Sequence, residues 1–133
     1  MNNRQFGSED GHYDLLSGLQ KSIRGSDPNG ALYYLALLAQ SGDVESIERR
    51  LLVIAYEDIG LANPGIGPRL DSAINAAERV GLPEAEIPLA YIVVEMALSP
   101  KSNTAHLALD EAISDVETGR CGDIPDTIKI NTT

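Results

Sequence analysis

The stretch Gly25-Ser26-Asp27-Pro28-Asn29-Gly30-Ala31-Leu32 decides between two folds. Its glycines stand as in the phosphate-cradling loop G-x-x-x-x-G-K-[ST], which joins a strand to a helix and would make the chain α/β. That loop needs a lysine for the phosphates and a hydroxyl for magnesium directly after the second glycine, and Ala31 and Leu32 stand there instead. The residues upstream are helical in pattern, with Leu15, Leu16, Leu19 and Ile23 at the i, i+3/i+4, i+7 spacing of one helix face. Gly25 ends that helix, because glycine readily takes the left-handed conformation of a C-terminal cap. Lys21 and Arg24 suit the negative end of the helix dipole. Ser26 or Asp27 then caps a second helix that has Pro28 in its first position. The stretch is a corner between two helices, and the fold is all-α.

Working outward, the second helix runs over about 28–40 and breaks at Ser41-Gly42-Asp43. Asp43 caps a third over 44–59, in which Ile47, Leu51, Ile54 and Ala55 share a face that Leu52 and Ile59 widen. Gly60 ends it, and the Gly/Pro-rich connection "LANPGIGPR" leads to a fourth helix over about 69–80, closed by Gly81-Leu82-Pro83. The fifth, about 85–98, carries Leu89, Ile92, Val93, Met96 and Ala97, with Pro88 tolerated only in the first turn. Ser99-Pro100 ends it. Ser102 or Asn103 caps a sixth over about 104–117, whose expected buried face is Leu109, Ala112, Ile113 and Val116. No fixed internal repeat marks a solenoid. The expected architecture is a bundle of about six helices with short connections that favour antiparallel neighbours. In domain terms this gives a flexible lead-in over 1–11, a helical domain over 12–118 and an extended tail over 119–133.

Composition narrows the function. The 133 residues carry 20 acidic against 10 basic side chains, a net charge of −10. Nucleic-acid binders concentrate Lys and Arg to displace counterions, and the densest basic spot here is Arg49-Arg50. Cys121 has no partner for an intramolecular disulfide, and with His12 and His106 it lacks the close ligand pairs of zinc sites. The longest purely apolar run, Ala31 to Ala39, is far short of the ~20 residues that span a bilayer. No signal-peptide pattern opens the chain. Cytoplasmic location and no membrane partner are the expectation.

Three further constellations resemble catalytic chemistry. Glu57-Asp58 is an adjacent acid pair like the one that holds magnesium and orients water in ATPases, but here it ends an amphipathic helix. Adjacent helical side chains diverge, and two acids at a helix C-terminus call for a positive partner such as Arg24 or Lys101. Lys101 beside Ser102 is not the S-x-x-K geometry in which lysine deprotonates serine. His12 and His106 have no nucleophile within sequence reach. No catalytic, cofactor-binding or metal-binding residue is assigned.

Taken together, "YDLLSGLQKSIRGSDPNGALYYLALL" (13–38), "RRLLVIAYEDIGLANP" (49–64) and "GLPEAEIPLAYIVVEMALSPKSN" (81–103) resemble the C-terminal region of the RarA/MgsA family of AAA+ ATPases. These are replication-associated recombination proteins, relatives of the Werner-helicase-interacting ATPase. The resemblance covers residues 9–133, and "KSIRGSD", "EDIGLA" and "PKSN" carry it.

What the resemblance implies is a non-catalytic oligomerisation domain. It would belong to a DNA-dependent ATPase that acts at stalled forks in replication, recombination and repair. The partner of the domain would be itself, as a homotetramer. The parent protein would bind DNA and single-stranded-DNA-binding protein, would use ATP and Mg²⁺ at motifs upstream of this segment, and would be cytoplasmic and nucleoid-associated. The 133 residues are expected to be an excised piece, with no cofactor of their own. The corners "KSIRGSD" and "EDIGLA" are where helix ends would meet, with Arg24, Asp27, Glu57, Asp58 and Lys101 as candidates for a polar network or interface. The alternative is a helical adaptor whose acidic surface binds a basic protein.

Overall fold

The computed structural model describes residues 9–130. They form six α-helices and, among the described residues, no strand. The helices are α1 (Glu9–Arg24), α2 (Pro28–Gln40), α3 (Val44–Ile54), α4 (Ile66–Val80), α5 (Glu86–Leu98) and α6 (Thr104–Glu117). The all-α reading holds. Most of the expected lead-in, residues 1–8, lies outside the described residues, as does 131–133, but Glu9–Gly11 are already helical. The rest of the expected tail is irregular apart from one 3₁₀ turn, Asp126–Ile128.

The caps explain the starts. Asp27 Oδ1 accepts from the Gly30 N–H at 2.9 Å, and Asp43 Oδ1 accepts from the Ser46 N–H at 3.1 Å. The first corner closes differently from its expected form. Ser26, not Gly25, takes the left-handed conformation, at φ 58°. Asp27 N–H bonds to Ser22 O at 2.9 Å and Ser26 N–H to Ile23 O at 3.0 Å. These are the paired bonds of a Schellman cap with serine in the usual glycine place. α4 begins at Ile66, three residues before the expected start, because Pro68 falls in its first turn, where no intrahelical N–H is needed.

Helices α1 to α5 enclose one core that includes Leu19, Ile23, Leu38, Ile47, Leu51 and Met96, each fully shielded from water. Burying a side chain of this size contributes about 1.5–3 kcal/mol relative to exposure. α1 packs most extensively on α2, and α5 lies against α4, α2 and α1. Gly18 makes the α1–α2 contact close, since a Cβ there would sit 2.5 Å from the Tyr34 ring.

Two apolar surfaces stay uncovered. α5 buries its expected face, Leu89, Ile92, Val93, Met96 and Ala97, but Ile87, Tyr91 and Leu98 on the opposite side are exposed. A groove of about 690 Å³ runs beside them between α4 and α5. α6 is the larger departure. It touches the bundle mainly through the segment that follows α3. Leu109, Ala112, Ile113 and Val116, expected to be buried, are all exposed. The amphipathic pattern is present, but nothing within the described residues covers it.

Candidate functional site

Only the first eleven residues of the third helical run, 44–54, are regular α-helix. The last turn, Ala55–Ile59, is a π-helix, followed by a 3₁₀ turn over Gly60–Ala62. Single π-turns are rare and tend to mark functional places in a fold. This one carries Glu57 and Asp58, and its wider turn lets the two neighbouring carboxylates reach common donors. Gln20 Nε2 donates to Glu57 Oε2 at 2.7 Å and to Asp58 Oδ2 at 3.0 Å. Arg24 Nε donates to Asp58 Oδ1 at 3.1 Å, and Arg24 Nη2 lies 4.0 Å from Glu57 Oε2. The expectation that the two acids diverge fails here, because it assumed α-helical geometry.

The third participant is the turn after α5. The Ser102 N–H bonds to Asp58 O at 2.8 Å and is shared with Ile59 O at 3.2 Å. Gly60 makes this possible. Its φ is +50°, and a Cβ would lie 2.6 Å from Ser102 O, so both the conformation and the space require glycine. Lys101 turns back to cap α5, donating to Ala97 O at 3.0 Å and also to Ser99 O. It reaches across to Ser26 Oγ at 3.1 Å. Burial pushes its ammonium pKa down, while the nearby Asp58 pulls the other way.

"KSIRGSD", "EDIGLA" and "PKSN" therefore meet at one corner. Of the five candidates, Arg24, Glu57 and Asp58 are joined directly. Lys101 lies beside them but spends its donors on carbonyls and Ser26. Asp27 is not part of the cluster, because its carboxylate is committed to capping α2. Three participants escaped the sequence reading. Gln20 is nearly buried and links the acids to Arg50, whose Nη1 donates to Gln20 Oε1 at 3.2 Å. Arg50 in turn lies 5.5 Å over the Tyr13 ring. His106 Nε2, at the start of α6, is 3.3 Å from both Glu57 Oε1 and Asp110 Oδ2. A polar Gln among the apolar positions of α1 was the one available signal.

Asp58 is buried and Glu57 largely so, and their oxygens face donors. Among the described residues, no three or more His, Cys, Asp or Glu are grouped to hold a metal ion. No helix among them is long and apolar enough to cross a membrane. What the corner does mechanically is lock the ends of α1, the π-turn and the α5–α6 connection to one another.

Residues 25–133 match the family model described as "MgsA AAA+ ATPase C terminal". Over 120 residues the chain is 65% identical to "Replication-associated recombination protein A" of Bacillus subtilis (strain 168), covering 90% of this chain and 28% of that protein. The protein of the same name in Escherichia coli (strain K12) is 39% identical over 117 residues, 87% of this chain and 26% of its own length. "ATPase WRNIP1" of Dictyostelium discoideum is 38% identical over 96 residues, 71% of this chain and 11% of its own length. The chain thus spans little more than a quarter of these two bacterial proteins and less of the eukaryotic one.

Proposed function

The chain belongs to the MgsA AAA+ ATPase C-terminal family, and from that premise we propose that it is the assembly domain of a replication-associated recombination ATPase. In this reading the domain performs no chemistry itself. It holds copies of the parent protein together, as a homotetramer, so that several ATPase modules act on DNA at a stalled fork. ATP, Mg²⁺, DNA and single-stranded-DNA-binding protein would be engaged by the parent, in the cytoplasm.

The observation that carries the reading is the pair of uncovered apolar helix faces, Ile87, Tyr91 and Leu98 on α5 and Leu109, Ile113 and Val116 on α6. Exposed apolar residues gathered on one side of a helix are what an association site presents. The polar corner supports it by fixing where α6 leaves the bundle, and so where its apolar face is presented.

Sedimentation equilibrium of the 133-residue chain tests the proposal. A dimer or larger species is expected. Ile87→Glu combined with Ile113→Glu should weaken self-association at least about tenfold, the equivalent of about 1.4 kcal/mol, with the far-ultraviolet helical signal unchanged. A chain that stays monomeric at high concentration overturns the reading.

A further inference from the structure

Two surfaces that the fold leaves open match each other. The groove between α4 and α5 has walls built at helical spacing, Ala73, Ala76 and Val80 on one side and Ile87, Pro88 and Tyr91 on the other. The small side chains of Ala73 and Ala76 keep one wall low and let a third helix approach. The Arg69–Glu95 ion pair stands at one end of the groove and Glu84 at the other. From Arg69 to Val80 the wall is about 16 Å long, at 1.5 Å per residue. On α6, Leu109, Ala112, Ile113 and Val116 follow the i, i+3, i+4, i+7 pattern by which an amphipathic helix lies in an apolar groove. That face is about 10 Å long, and it fits between the charged ends.

The groove is lined by α4, α5 and the turn between them, and by no described residue of α6. The start of α6 is instead fastened to the π-turn through Ser102 and His106. Charge gives the entering helix a direction. Glu117 flanks the apolar face in the last turn of α6. Arg69 is half exposed and places Nε and Nη2 on Glu95, which leaves donors of its five for a second acid. The opposite direction brings Glu117 to Glu84. Area decides how many such contacts are needed. Half the flank of this 14-residue helix, about 21 Å long and 11 Å across, is about 350 Å². A stable association takes about 800 Å² from each partner, which one seat does not reach and two approach. We propose that the α4–α5 groove receives α6 of a second copy, and that two copies exchange these helices reciprocally. Leu109, Ile113 and Val116 lie against Ala73, Ala76 and Ile87, with the end of α6 toward Arg69. This contact rests on the assembly reading and gives that assembly a two-fold pair as its unit.

Mixed samples of isotope-labelled and unlabelled chain test it by isotope-filtered nuclear Overhauser spectroscopy. Contacts between copies should join the Ile113 and Val116 methyls to the Ala73 and Ala76 methyls. Ala76 is exposed and arginine is a good helix former, so Ala76→Arg should keep the helical signal. By placing a charge in the apolar seat it should weaken self-association at least about tenfold in sedimentation equilibrium. Ile113→Glu should weaken it too. A mixture of the two variants should associate more tightly than either alone, because the mixed pair rebuilds one intact seat. A chain that stays monomeric at high concentration overturns this contact together with the assembly reading, and leaves the groove to a partner of another sequence. An oligomer whose contacts between copies join α6 to α6, or one indifferent to Ala76→Arg, overturns the reciprocal seat while the assembly reading stands.

Discussion

Glu48 shows how far a single buried acid can steer the molecule. Burial, and then the Glu78 carboxylate, push its pKa in the folded chain up to about 7 from the ordinary 4.5, so folding holds a proton that the unfolded chain has already released at intermediate pH. The stability this group contributes is full below about pH 4.5 and is lost as pH rises through about 7. The span is at most about 3 kcal/mol. Glu48→Gln keeps the neutral form at every pH. Its urea midpoint should match that of the unaltered chain near pH 4.5 and exceed it by pH 8, by the equivalent of about 2–3 kcal/mol at unchanged slope. Single residues were legible in the sequence where charge made them conspicuous. Arg24, Glu57 and Asp58 could be grouped because two acids at a helix end demand a cation. Gln20 could not, since an uncharged amide on an amphipathic helix carries no such demand, and its role comes from what folds over it. Nor could Ser26 be told from Gly25 as the left-handed residue, because the choice is fixed by the bonds of Asp27 and Ser26 back into α1.

At the level of elements, the punctuation of the chain was readable and the covering of its faces was not. Gly, Pro and Asp punctuate the breaks between the helices, and the apolar residues expected to face inward on α1 and α5, with Ile47, Leu51 and Ile54 on α3, are buried. The π-turn over Ala55–Ile59 had no signature, because it differs from an α-turn only in which carbonyl each amide chooses. The exposed face of α6 was misread for a related reason. Amphipathic spacing says that a face seeks a cover, but not that the cover lies in the same 133 residues. The α1–α2 contact yields a prediction at this scale. Gly18→Ala improves helix propensity by about 1 kcal/mol, yet its Cβ would meet the Tyr34 ring at 2.5 Å. Overpacking costs about 1–3 kcal/mol, so the variant should melt a few degrees lower, by differential scanning calorimetry, than the unaltered chain.

Taken as a whole, the molecule is a polyanion, and five of its ten Lys and Arg side chains are paired with acids. Arg24 sits on Asp58, Arg49 on Glu45, Arg69 on Glu95, Arg120 on Asp115 and Lys129 on Asp126. Binding to nucleic acid draws on cations that displace counterions, and a net charge of −10 opposes the approach. In fluorescence anisotropy the 133-residue chain should give no saturable signal with a labelled single-stranded oligonucleotide at physiological salt. A tight complex that weakens steeply with salt would show that these pairs open to release a basic surface. The polar corner has one more consequence, in the order in which a ribosome delivers its parts. Domains form as their segments emerge during synthesis, and α1 and α2 can pair once Gln40 has emerged. Lys101 meets Ser26 across 75 positions, and the Ser102 amide that covers Asp58 comes later than every residue of α1 to α5. Until residue 102 emerges, Asp58 has Gln20 and Arg24 but not the strand of backbone that seals it, so the corner is completed last.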